Sequence, residues 1–169
     1  MDPPAQDLRQ ELAALLPRLR RFGRTLARHR EDADDLVQIA LERALTRAEQ
    51  WIPGTRLDSW MFRIMQNAWI DEVRARERRA QTFVDEAAGE HVGVSTTDAQ
   101  IDAIAVRRAV AQLNDDQRAV VGLVLVDGLA YQEAAQVLGI PIGTLTSRLA
   151  RAREALQALL AEQPLGARP

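Results

Sequence analysis

A chain of 169 residues, 47% hydrophobic and only 4% aromatic, has room for one ordinary domain or two small ones and can bury a core. Its net charge of −2 exerts no global pull on nucleic acid, yet all 22 basic residues are arginine, whose planar fork suits phosphates and guanine edges. Without cysteine there is no disulfide framework or thiolate chemistry; with no signal peptide and no apolar run near the ~20 residues of a membrane span, a cytoplasmic protein with no membrane insertion is expected.

Residues 1–6 read as a loose start. From Asp7 to about Arg28, the positions Leu8, Leu12, Leu15, Leu19, Phe22 and Leu26 keep helical spacing, and Pro17 inside them is expected to kink or split the helix. Residues 31–35 are acidic and open a second helix at the positive end of its dipole. Leu36, Val37, Ala40, Leu41, Ala44 and Leu45 form its apolar stripe, and Asp34, Asp35 and Gln38 stay outside as a polar patch. Residues 51–58 form a loop marked by Pro53-Gly54, with Asp58 or Ser59 expected to cap the next helix. That third helix turns Trp60, Met61, Ile64, Met65, Ala68, Trp69 and Val73 inward, and shows Asn67, Asp71, Arg74 and an arginine-rich tail outward.

From 80 to 97 the periodicity fails, and an acidic, glycine-containing segment reads as a linker. Residues 98–113 return to helical spacing. Asn114 and Gln117 make a capping box for a helix over about 115–126, which is apolar nearly all round and is expected to be the buried centre of a small domain. Asp127-Gly128 ends it. The whole reads as all-α: a helical unit at 7–79, a linker at 80–97 and a second helical unit at 98–160.

The segment 131–160 splits at Gly139, a left-handed C′ residue by pattern, and Pro141 suits the first position of the helix that follows. Two helices on so tight a turn make a helix-turn-helix. Leu145, Leu149, Ala152, Leu156 and Leu159 form one stripe of the second helix; Thr144, Thr146, Ser147, Arg148, Arg151 and Arg153 occupy the other side. Hydroxyls and guanidiniums at a helix start suit the DNA major groove. An ordinary helical hairpin with a solvated arginine face is the plain alternative. The turn G-I-P-I-G-T and an arginine run opposed only by Glu154 favour DNA.

The segments D-A-D-D-L-V-Q, W-M-F-R-I-M-Q-N-A-W-I-D-E-V-R, L-N-D-D-Q-R-A-V and G-T-L-T-S-R-L-A-R-A-R follow one another in an order that resembles the bacterial extracytoplasmic-function sigma factors, promoter-recognition subunits of RNA polymerase. The resemblance covers about 8–79 and 98–160, and L-L-P-R-L-R-R-F leans toward the general-stress branch of alphaproteobacteria. It implies a first domain at 7–79 that binds core polymerase and reads and melts the −10 element, and a second at 98–160 that reads the −35 element. By this resemblance Asp34, Asp35, Leu36 and Gln38 match the patch that docks on the polymerase clamp. The loop Pro53, Gly54, Thr55, Arg56, Leu57 and Asp58 matches the one that receives a flipped −10 base; Asn67 and Asp71 match helix positions that read that element, with Arg74 beside them. Thr144, Thr146, Ser147, Arg148 and Arg151 fall on the −35 helix. The resemblance further implies core polymerase, promoter DNA and an anti-sigma factor as partners, no cofactor and no enzymatic activity. Ile39 stands where the family has an acidic residue, and Thr146 where Lys or Arg is common, a change that removes a phosphate or base contact.

A linker of 18 residues spans up to ~60 Å when extended, enough for two DNA elements more than one ~34 Å helical turn apart. The rival reading is a sigma-like decoy that titrates an anti-sigma protein; such a decoy needs the scaffold but not Asn67, Arg148 and Arg151, and no receiver domain is expected on this chain. A plain helix-turn-helix repressor would not need the first unit. An enzyme fits least: His29 and His91 are isolated, no glycine-rich phosphate loop exists, and a metal at residues 31–35 is not expected.

Overall fold

A computed structural model describes residues 3–82 and 98–162, and no strand occurs among them. The expected linker, apart from its first three residues, lies at 83–97, outside the described residues, as does His91. The helices are α1 (Pro3–Leu26), α2 (Arg30–Thr46), α3 (Leu57–Ala80), α4 (Asp98–Gln112), α5 (Asp115–Val120), α6 (Tyr131–Leu138) and α7 (Ile142–Glu162). A 3-10 turn at Ala48–Gln50 precedes α3, and a π-helical turn at Val121–Val126 continues α5.

α1 begins at Pro3, earlier than the sequence suggested, and runs through Pro17 without splitting. One missing N–H costs a single bond, and the stripe on both sides of it, with Leu8, Leu12, Leu19, Phe22 and Leu26 all buried, holds the two turns together. α1, α2 and α3 pack on one another. Phe22 meets Phe62 edge-to-face at 5.0 Å, and Arg18 lies over the Phe62 ring at 5.3 Å. α3 starts at Leu57, so Asp58 sits in its first turn rather than ahead of it; Arg56 takes the N-cap position with no side-chain cap. Asp58 instead accepts the Ser59 N–H at 2.8 Å.

In the second unit the capping box of Asn114 and Gln117 is present in both directions. α6 ends on Gly139 at φ +65°, where an L side chain is strained; the N–H groups of Gly139 and Ile140 close back on Gln136 and Ala135. Pro141 stands one residue earlier than expected, just outside α7, where its carbonyl accepts the Leu145 N–H at 3.1 Å.

The two units share one apolar core. α5 and the π-helical turn lie against α1, and α6 against α3. This is why the stretch 115–126 is apolar nearly all round: one side faces its own unit and the other faces α1. At Gly122 the two units come close together. A Cβ there would stand 2.8 Å and 2.9 Å from two carbons of the buried Phe22 ring, so no larger residue fits without moving the seam. Leu125 and Val126, expected inside, are partly exposed at the end of this stretch.

Candidate nucleic-acid interface

α7 presents the face that its sequence pattern promised. Leu145, Leu149 and Ala152 are buried, while Thr146, Ser147 and Arg151 are exposed and Thr144 and Arg148 half-buried. Thr146 and Ser147 donate their hydroxyls to the Ile142 and Gly143 carbonyls, which parks both side chains close to the helix. Arg148 pairs with Asp116 at the start of α5 at 2.9 Å, an open ion pair of the kind worth ~0–1 kcal/mol. Asn114, Gln117, Gly143, Thr144, Ser147 and Arg151 complete an open basin beside it.

On α3, Asn67, Asp71 and Arg74 are exposed, and spacings of four and three put them on one face. Asp71 is held by Arg43 of α2 at 3.2 Å. Below them Arg76 grips Asp32 with two bonds of 2.9 and 2.7 Å and covers the Trp69 ring, locking α2 to α3. The hydrogen bonds from Arg76, against the cost of partial burial, hold the Asp32 carboxyl below its ordinary value. Trp51 and Trp69 are buried, and Trp60 is packed against the core.

The structure separates the remaining candidates by exposure. On α2, Asp34, Asp35 and Gln38 are exposed, with Ile39 beside them, but Leu36 is 3% exposed and points into the core. In the loop before α3, Pro53, Gly54, Thr55 and Arg56 are exposed, whereas Leu57 is 6% exposed and buried under them.

The loop is not free. Arg56 bonds Asp58 at 2.7 Å and also Glu133 of α6, and Arg18 of α1 reaches Asp58 at 3.0 Å. Arg18 and Arg21 both reach Asp127, just beyond the π-helical turn, at 3.3 Å. These charges tie the loop and α1 to the helix-turn-helix unit. Sequence pattern marks Asp127 only as a helix end and gives Arg18 and Glu133 no role, because each is an ordinary surface charge until the two units meet.

Burial works against ionisation of Asp58, but Arg56, Arg18 and the Ser59 N–H outweigh it and hold its carboxyl at about 2 rather than 3.8. A depressed carboxyl contributes stability that is full above the unfolded value and is lost as pH falls through the folded one. Urea midpoints are therefore expected to drop between pH 4 and pH 2, and Asp58→Asn should flatten that drop; an unchanged slope in the variant would remove Asp58 from the account.

Two family models match this chain: the Sigma2 domain of PhyR over residues 12–66 and Sigma-70, region 4, over residues 103–156. The chain is 35% identical over 162 residues to the ECF RNA polymerase sigma factor EcfG of Rhodopseudomonas palustris, covering 94% of this chain and 87% of that one. It is 38% identical over 143 residues to SigM of Mycobacterium tuberculosis, covering 84% and 71%. Among solved structures it is similar to the sigma factor RpoE in complex with the anti-sigma factor NepR from Bartonella quintana, with a TM-score of 0.77, 34% identity and coverage of 92% of this chain and 98% of that one. The PhyRSL–NepR complex of Sphingomonas sp. Fr1 shares the fold at a TM-score of 0.65 and 21% identity, over 95% of each chain.

Proposed function

The chain belongs to the extracytoplasmic-function RNA polymerase sigma factors, and from that premise we propose how its residues divide the work. It binds core RNA polymerase, directs promoter-specific initiation of transcription and is controlled by an anti-sigma protein. The observation that carries this is identity at 35% to EcfG across nearly the whole chain, both helical units included. The likeness to EcfG, and to a sigma factor held by NepR, supports a place in the general-stress branch. It acts as a specificity subunit rather than an enzyme, in the cytoplasm where the polymerase works; no helix of the described residues is long and apolar enough to cross a membrane.

The unit at 7–79 engages polymerase and the −10 element, 80–97 joins it to the rest, and 98–160 reads the −35 element. Asp34, Asp35 and Gln38 supply the polymerase contact, with Leu36 holding that helix in register from below. Pro53, Gly54, Thr55, Arg56 and Asp58 form the pocket for a flipped base, floored by Leu57, and flipping costs a few kcal/mol that a preformed pocket offsets. Asn67, Asp71 and Arg74 read the −10 strand, and Thr144, Thr146, Ser147, Arg148 and Arg151 the −35 groove. Phosphate contacts set affinity and base edges set selection. The two elements lie more than one ~34 Å turn apart, and in this reading the seam through Gly122, Asp127 and Glu133 opens on the promoter.

Run-off transcription with purified core polymerase tests the function; RNA from no template at all would sink it. Asn67→Ala is expected to lower promoter-specific initiation about tenfold, the worth of one base-edge contact, while polymerase binding stays intact. Loss of polymerase binding would make Asn67 structural. A second reading, a decoy that titrates an anti-sigma protein, draws on the match of residues 12–66 to the Sigma2 domain of PhyR. It predicts anti-sigma binding without transcription in the same assay.

A further inference from the structure

A cleft of about 520 Å³ lies where the end of α1 and the start of α2 face α4 and the π-helical turn. It is lined by five arginines, and no carboxylate is among its lining residues. Arg21 is taken up by Asp127, and Arg30 lies 3.9 Å from Asp34. Arg24 and Arg28 are exposed and have no acidic partner among the described residues, and Arg107 donates only to the Ala103 carbonyl of its own helix. Three guanidiniums thus converge without neutralisation. Burial above all pushes the guanidinium of Arg118 below its ordinary value; Asp115 opposes this, and the charge of Arg28 adds to it.

The floor is apolar. Val106, Val110 and Val126 line it, and Val106 and Val126 are 46% and 39% exposed, so this apolar area is open to solvent. A volume of about 520 Å³ falls in the small-molecule range of ~300–1,000 Å³. Its walls come from both helical units, so it is complete only when they are packed. Planar arginine forks match phosphate oxygens and also stack on aromatic rings.

We propose that this cleft binds a nucleoside polyphosphate, with the phosphate chain across Arg24, Arg28 and Arg107 and the base against Val106, Val110 and Val126. The ligand binds the packed form and not the separated units, and so shifts the chain toward the packed form in proportion to its concentration over Kd. The proposal does not rest on the sigma-factor reading, because it is tested on the purified chain alone.

The experiment is titration calorimetry of the full chain with ATP, GTP and inorganic tripolyphosphate, repeated with an Arg24→Ala/Arg28→Ala variant, an Arg148→Ala/Arg151→Ala variant and a competing oligoglutamate peptide. The nucleotides are expected to bind about tenfold more tightly than tripolyphosphate, through the apolar floor. The Arg24→Ala/Arg28→Ala variant is expected to weaken them about tenfold or more, through lost charge-assisted bonds, with its melting temperature unchanged. The recognition-helix variant should bind them as the parent does. Four outcomes overturn the proposal: no binding; equal binding of tripolyphosphate and nucleotide; loss of binding in the recognition-helix variant instead; or displacement by oligoglutamate at matching concentration, which would make the cleft a site for an acidic peptide.

Discussion

Replacing Arg118 by alanine is expected to destabilise the chain by about 3–5 kcal/mol, the cost of removing one partner from a buried polar cluster. Arg118 is 2% exposed. Its guanidinium donates to the Leu26 carbonyl at 2.9 Å, to the Leu113 carbonyl at 2.6 Å and to the Asp115 carboxylate. Leu26 is the last residue of α1, and Leu113 follows the last residue of α4. Their carbonyls are among the acceptors that a helix end leaves without a partner, and a cation there also suits the negative end of each dipole. One side chain from the second unit thus closes a helix of each unit. Alanine would strand both carbonyls, at ~1–3 kcal/mol each, and leave a void. At ~2–4 °C per kcal/mol for a chain of this size, the melting temperature should fall by about 10 °C. Arg118→Met refills much of the volume without the bonds. A methionine variant within about 0.5 kcal/mol of the parent in urea, a margin typical of surface substitutions, would show that the bonds contribute nothing and that the account is wrong.

The second large effect is expected on DNA. Arg148→Ala/Arg151→Ala should weaken binding of the −35 element about a hundredfold, at ~1–3 kcal/mol per contact, and should lower the dependence of log affinity on log salt by about two. Neither side chain carries the fold: Arg151 is exposed, and Arg148 gives up only its open pair with Asp116. The melting temperature should therefore hold. If Arg148 contacts DNA as proposed, its pair with Asp116 competes with that contact, so Asp116→Asn should tighten binding slightly, by no more than the ~0–1 kcal/mol of a surface pair. An unchanged salt slope in the double variant, measured by fluorescence anisotropy, would remove both arginines from the interface.

Much of the second unit could be read before any coordinates. Gly139, the Asn114–Gln117 box and the stripe Leu145–Leu149–Ala152 are local devices whose partners lie three to five residues away, and the structure holds each as expected. Asp58 and Pro141 differ from expectation by one residue in where a helix starts, and Pro17 lies inside an unsplit α1. Arg118 carried a signal that went unused. It is the only charge in the stretch 117–126, and a lone guanidinium in an all-apolar helix must be bonded inside.

Helices, caps and the two-part order of the chain followed from the order of residues alone, because periodicity and turn chemistry act over a few neighbours. Which charges would meet did not. With 22 arginines and 24 carboxylates, pattern cannot choose Glu133 for Arg56 or Asp127 for Arg18, positions 77 and 109 residues apart. That choice and the arginine cleft between the units arose only when the two units packed, α5 against α1 and α6 against α3. Only the shared core decides which faces are left outside.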